Sequence, residues 1–359
     1  MENYQNSNGQ FGGWEQSRVP YGAPNPQGFV PYGSDMSEKR QEERNDKKIL
    51  GKLGKLFGIA IILYVVCSTL FSVAILLLSE VFPQVNLLYE REFANYAYSI
   101  IGSILYIGAP FSIIYLILKK KKIAGVLPFG TAYNGKAAVY LTMATIPLMV
   151  FSSIVVNAIS LLIQSLLGIE FTSGLEDLKM TGGAGFIIGA ISMAVVPAII
   201  EEFSIRGVVM QPLRRYGDGF AIVASAFIFS IMHGNMAQIP YTVVGGLYLG
   251  YLAIATGSIW PSIIVHFVNN MYSVVIMSVD SNFGESASGV AAFVMLGLFI
   301  AMGIFGGIKF HSMNYKTKLG EGVKTLKTGK KIKALFLNIP MIIAIVIMIV
   351  ITLTSVGKS

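Results

Sequence analysis

Apolar runs of about eighteen residues or more recur nine times along the chain, at 56–79, 94–118, 138–167, 184–212, 219–236, 239–256, 259–278, 290–308 and 335–354. At 1.5 Å per helical residue, each is long enough to cross a hydrocarbon core roughly 30 Å thick. The pattern predicts an all-α fold: a polytopic transmembrane helical bundle of about eight or nine spans, with any polar chemistry held within the membrane. The fifth and sixth runs are separated only by a tight turn between Gly234 and Pro240.

Polar segments frame these runs. Residues 1–37, built from Asn, Gln, Gly, Pro and Tyr, lack the charged start and cleavage site of a signal peptide and read as a disordered tail. Residues 38–55 form a basic juxtamembrane approach, 56–137 hold the N-terminal spans, and 279–359 hold the C-terminal spans with a basic loop at 309–334. Of the 27 Lys and Arg residues, 23 fall on one set of alternate loops, while Arg91, Lys179 and Lys358 fall on the other, whose loops are acidic. The positive-inside rule then predicts a cytoplasmic N-terminus and an extracytoplasmic C-terminus, in a plasma membrane read as bacterial.

The chain is 54% hydrophobic and 13% charged, far from the composition of a soluble domain. Its net charge of +8 is spread between apolar runs rather than over a polar face, so membrane orientation accounts for it and nucleic-acid binding is excluded as a partner class. The single Cys67 permits no intrachain disulfide and reads as a small buried hydrophobe. Gly185 with Gly189, and Gly246 with Gly250, are spaced for close helix approach.

Against this background, Glu201 and Glu202 stand out, because a single acid at mid-membrane costs at least about 2.5 kcal/mol. Arg206 follows Glu202 by four residues on the same helix face, the favourable order for an ion pair, so Glu202 and Arg206 read as a structural pair. Glu201 is rotated by about 100° and has no local partner. Pro197, four residues before it, removes a rung of the helical ladder and opens a route for water. Phe229 and His233 are four apart, as are His266 and Asn270. A carboxylate base, two imidazoles and an amide donor suffice for water-mediated attack on a carbonyl. Phe229 reads as a wall orienting His233, Asn269 as a packing residue, and His311 as a bystander. Measured along the helices, Glu201 and His266 both fall toward the inner half of the membrane, whereas His233 is expected higher than either.

Glu201-Glu202-Phe-Ser-Ile-Arg206, Phe229-Ser-Ile-Met-His233 and His266-Phe-Val-Asn-Asn270 resemble, in order, the EExxxR, FxxxH and HxxxN motifs of the CAAX-prenyl-protease and bacteriocin-processing family of intramembrane endopeptidases. The resemblance covers residues 138–278, with Ile205 departing from the Phe often found there in bacterial relatives. It implies that Glu201 activates water with help from His233, that His266 and Asn270 stabilise the oxyanion, and that Glu202 and Arg206 hold the helix. The family has also been treated as metalloproteases, so zinc stays open as a cofactor, with Glu201, His233 and His266 as its ligands if it is bound. No H-E-x-x-H helix is present, so such a site would be assembled across three spans. The implied partners are the lipid bilayer and a membrane-associated protein or peptide substrate, prenylated or not. Two other readings remain: a proton-coupled transporter, since buried carboxylates and histidines also mark proton relays, and a non-catalytic scaffold or immunity protein of the same fold.

Overall fold

A computed structural model describes residues 32–82, 92–172 and 179–358. Helix α1 (Tyr32–Val81) runs without interruption from the charged approach into the first apolar run. It starts inside the stretch expected to be disordered, because the segment after Ser37 is rich in helix-forming Glu, Lys, Arg and Gln, with Glu43 and Lys47 spaced for an i, i+4 pair. The remainder of that tail, residues 1–31, lies outside the described residues. Helix α2 (Glu92–Gly102) passes through a π-helical turn (Ser103–Gly108) into α3 (Ala109–Lys120). Helix α4 (Gly135–Leu167) is capped by the Asn134 side chain, which accepts from the Ala137 amide, and ends at Gly168 with φ 62°.

The fourth run is not a regular helix. It comprises α5 (Gly182–Ala190), a π segment (Ile191–Val195), α6 (Val196–Glu202), a second π segment (Phe203–Val209), α7 (Met210–Leu213) and a 3₁₀ turn (Arg214–Tyr216). Then follow α8 (Asp218–Ile231), α9 (Ile239–Thr256), α10 (Trp260–Phe283), α11 (Glu285–Ser312), α12 (Thr328–Phe336) and α13 (Ile339–Thr354). The one described sheet is a short antiparallel pair, β1 (Ile169–Phe171) with β2 (Val356–Lys358), Ile169 opposite Lys358.

The architecture is an all-α polytopic membrane bundle. Seven helical paths among the described residues are long and apolar enough to cross a membrane, and α12 with α13, bent by 77°, would make an eighth. The fifth expected span, 219–236, falls short. Helix α8 has 14 residues, a length of about 21 Å, because the chain turns at Gly234 with φ +63° instead of continuing to 236. The 335–354 run is likewise broken, where Asn338 caps the Met341 amide and Pro340 starts the new helix. Large apolar side chains such as Leu70, Leu161, Phe293 and Leu353 face outward, which lipid requires and water would penalise. Cys67 is also only half-buried, on α1, rather than part of the core.

Two polar networks mark the ends of the bundle. At one, Asp46 binds Arg215 Nη2 at 2.9 Å and accepts from Thr325 Oγ1 at 2.6 Å, while Asp218 pairs with Arg214 at 2.7 Å and accepts from the Gly320 amide. At the other, Thr172 meets Ser355, Met180 meets Ser281 and Asn282, and Gly182 meets Asn282. Between them lies the main core, in which Leu53 and Phe57 of α1 meet Phe111, Ile205, Met210, Phe229 and Met341. Helices α8 and α9 approach closely: a Cβ on Gly246 would lie 2.9 Å from Ala226 Cβ, and one on Gly250 3.3 Å from Ile222. The Gly246/Gly250 pair thus does face a helix, whereas Gly189 faces the Met180 side chain of a loop.

Candidate active site

The helix carrying the two glutamates is irregular where they sit. Pro197 has no amide hydrogen, so it cannot close a ladder bond to the carbonyl four residues back, that of Met193. The chain answers with the π segment Ile191–Val195 and with a side chain from α10: Asn270 Nδ2 donates to Met193 O at 3.2 Å. A second π segment begins directly after Glu202, and Gln211 Nε2 donates to Arg206 O at 2.9 Å. Glu201 and Glu202 therefore end a regular stretch of seven residues, about two helical turns, held between two π distortions, a backbone form often found at functional sites.

Helix α8 folds back on this segment through Gly217, whose φ of +112° suits only glycine and where a Cβ would lie 2.8 Å from Glu321 O. Glu202 lies 15 residues before that turn and His233 16 after it, so an antiparallel return brings them level. The expected mismatch in depth between Glu201 and His233 is reduced by this geometry, since α8 starts directly at the turn and each residue lies 16 positions from Gly217.

Glu202 and Arg206 are both fully buried, with Oε1 3.1 Å from Nη1. His266 joins them, its Nδ1 3.0 Å from the same Oε1, while its Nε2 lies 3.7 Å from Glu201 Oε2. Glu201, which the sequence left without a partner, is thus within reach of an imidazole already held by its neighbour. With Glu202 ionised opposite Arg206, the His266 Nδ1–H is the donor of that bond, which leaves Nε2 toward Glu201. His233 Nδ1 lies 2.9 Å from Phe229 O and donates to it, so His233 Nε2 is its free ring nitrogen.

Phe229 is central to this arrangement. Arg206 Cζ lies 4.8 Å above its ring, and His233 and His266 meet it edge-on with centroids 4.8 and 6.0 Å away. Arg206 Nη2 also donates to Gly246 O at 3.3 Å, which the absence of a side chain at Gly246 permits. Glu202 Oε2, Arg206 Nε and Nη1, and Ser204 Oγ have no hydrogen-bond partner among the described residues, so the Glu202–Arg206 contact is a charge contact rather than an aligned hydrogen bond. Asn270 Oδ1 accepts from Asn269 Nδ2 at 3.3 Å, which ties Asn269 to the site instead of leaving it as separate packing. His311 is exposed at the end of α11.

The proposed zinc ligands do not fit a metal in this arrangement: among the described residues no three His, Cys, Asp or Glu side chains converge to hold an ion. We derive no step through a metal.

Sequence reasoning missed the carbonyls of Met193 and Gly246 as partners. The first carried a signal, being the acceptor orphaned by Pro197; the second carried only its place in a glycine pair. It also missed Tyr64 of α1 and Tyr241 of α9, half-buried phenols within electrostatic reach of Glu201, for which no local pattern gave notice.

Residues 183–272 match the family described as type II CAAX prenyl endopeptidase Rce1-like. The matched stretch contains Glu201, Glu202, Arg206, Phe229, His233, His266 and Asn270, and is shorter than the 138–278 over which the motifs suggested a resemblance. No curated protein and no solved structure matches the chain.

Proposed function

We propose, from the match of residues 183–272 to the type II CAAX prenyl endopeptidase Rce1-like family, that the chain is an intramembrane endopeptidase of the glutamate type. Glu201 takes a proton from a water molecule whose second contact is His233 Nε2. The water oxygen bonds to the scissile carbonyl carbon, and the tetrahedral oxyanion is met by Nε2–H of His266, which in this step carries a proton on both ring nitrogens, one toward Glu202 and one toward the oxyanion, with the Asn270 amide hydrogen not used by Met193 as a second donor. As the C–N bond breaks, the proton held by Glu201 passes to the leaving amine, so the carboxylate is regenerated. Glu202, charged against Arg206, fixes the His266 ring and sets its negative charge against Nδ1, as the acid of a hydrolase triad does.

The observation that carries this reading is the single imidazole, His266, within 3.0 Å of one buried carboxylate and 3.7 Å of the other. Glu201 comes from α6, His266 and Asn270 from α10, and His233 from the turn after α8. The substrate is a membrane-associated protein or peptide, and the N-terminus lies in the cytoplasm, which is the side of the Asp46–Arg215 end. The test is a proteomic comparison of membranes carrying wild-type protein and Glu201→Ala, seeking fragments present only with the former. Glu201→Ala and His233→Ala should each abolish cleavage in purified protein of unchanged thermal midpoint; full activity in either overturns the assignment. Metal analysis of the active purified protein checks the zinc alternative directly.

The π-interrupted helix also suits a proton-coupled transporter, in which broken helices surround the site. Substrate uptake into proteoliposomes that is lost with Glu201→Gln would favour that second reading.

A further inference from the structure

His233 does not stand on a helix. Helix α8 ends at Ile231, so the direction of the imidazole depends on the turn of residues 232–238. Part of that turn is held locally: the Gly234 amide donates to Ile231 O at 3.2 Å, Asn235 Nδ2 to His233 O at 3.3 Å, and the Gln238 amide to Asn235 Oδ1 at 2.8 Å. The rest is held from the far end of the chain. The Met236 amide donates to Ser355 Oγ at 2.9 Å, and that hydroxyl donates in turn to Thr352 O at 2.7 Å. Gly234 sits against the last turns of α13, where a Cβ would come within 3.1 Å of Ile351 Cγ2 and 3.2 Å of Met348 Cε. Ser355 is itself fixed, because its carbonyl accepts from the Thr172 amide at 2.9 Å and the β1–β2 pair continues from that point.

We propose that Ser355, buried at the joint of α13, β2 and β1, is a positioning residue for His233. It anchors the turn bearing the imidazole to a segment more than 80 residues beyond the family-matched stretch. The proposal rests on the reading of His233 as part of a peptidase, and it assigns the C-terminal helix a part in setting the direction of Nε2. Loss of one buried hydrogen bond of this kind corresponds to roughly a two- to tenfold change in an equilibrium or a rate.

The test uses the purified full-length chain and a synthetic peptide spanning the cleavage site found by the Glu201→Ala comparison. Ser355→Ala should speed hydrogen exchange of the 232–238 amides and lower kcat, each about two- to tenfold, with KM unchanged. Ser355→Thr, which keeps the hydroxyl, should restore both. Ile351→Ala, which leaves the hydroxyl in place and removes the contact at Gly234, should change both measurements in the same direction and remains available if Ser355→Ala does not fold. Wild-type exchange at 232–238 in Ser355→Ala, or wild-type kcat in it while Glu201→Ala and His233→Ala are inactive, overturns the positioning role and leaves the peptidase standing. Wild-type cleavage by His233→Ala instead overturns the peptidase reading, and with it the catalytic part of this proposal.

Discussion

Asn270 illustrates how one side chain can serve both structure and chemistry. Its donor satisfies the Met193 carbonyl, an acceptor that Pro197 leaves without its usual ladder partner. Replacing Asn270 by Ala therefore leaves the part-buried Met193 carbonyl without this hydrogen bond, a cost of about 0.5–1.5 kcal/mol. In a Pro197→Ala background the restored amide at 197 can close that bond, so Asn270→Ala should cost less there. A double-mutant cycle on thermal or denaturant stability should give a coupling of at least about 0.5 kcal/mol; strict additivity would mean that the two residues do not share this carbonyl. Glu202 and Arg206 were legible from their spacing of four alone. That His266 also binds Glu202 was not legible, because sequence spacing describes one helix and this contact joins two.

At the scale of elements, the glycines of α9 decide how closely the helix carrying the Arg206 acceptor approaches α8. Gly246 meets the Ala226 backbone, with a Cβ-to-Cα distance of 3.0 Å, whereas Gly250 meets the Ile222 side chain, which can rotate away. Gly246→Ala should therefore destabilise by about 1–3 kcal/mol and also reduce cleavage, because the Gly246 carbonyl that receives Arg206 moves with the helix. Gly250→Ala should be milder on both counts, and equal effects in chemical denaturation and peptide cleavage would contradict this account. The helix pair was legible as a spacing of small residues. The π segments on either side of Glu201 and Glu202 were only partly so: Pro197 announces a disturbed ladder but not whether the backbone answers with a kink, a break or an added residue per turn.

Across the whole molecule, Asp46 ties α1 to the turn between α7 and α8 and to the loop after α11. Asp46→Ala removes the acceptor for Thr325 and the partner of a half-exposed Arg215, a loss of about 1–2 kcal/mol after allowance for solvent at the arginine. Limited proteolysis should then cut within 313–327 several-fold faster than in wild type; an unchanged rate would mean that the loop is held by its other contacts. The sequence alone determined that the chain is a helical membrane protein, because run length and apolarity suffice to fix a span where backbone groups must be satisfied internally. It also determined the ordered motifs of acid, imidazole and amide, since those depend on residue type and on spacing within one helix. Only the tertiary structure decided that α8 stops short, that His233 stands level with Glu202, that one imidazole touches both carboxylates, and that Ser355 holds the turn behind His233. Each of these joins segments far apart in the chain, and their meeting is set by packing, where glycines and polar end networks select one arrangement among many that the hydropathy pattern permits.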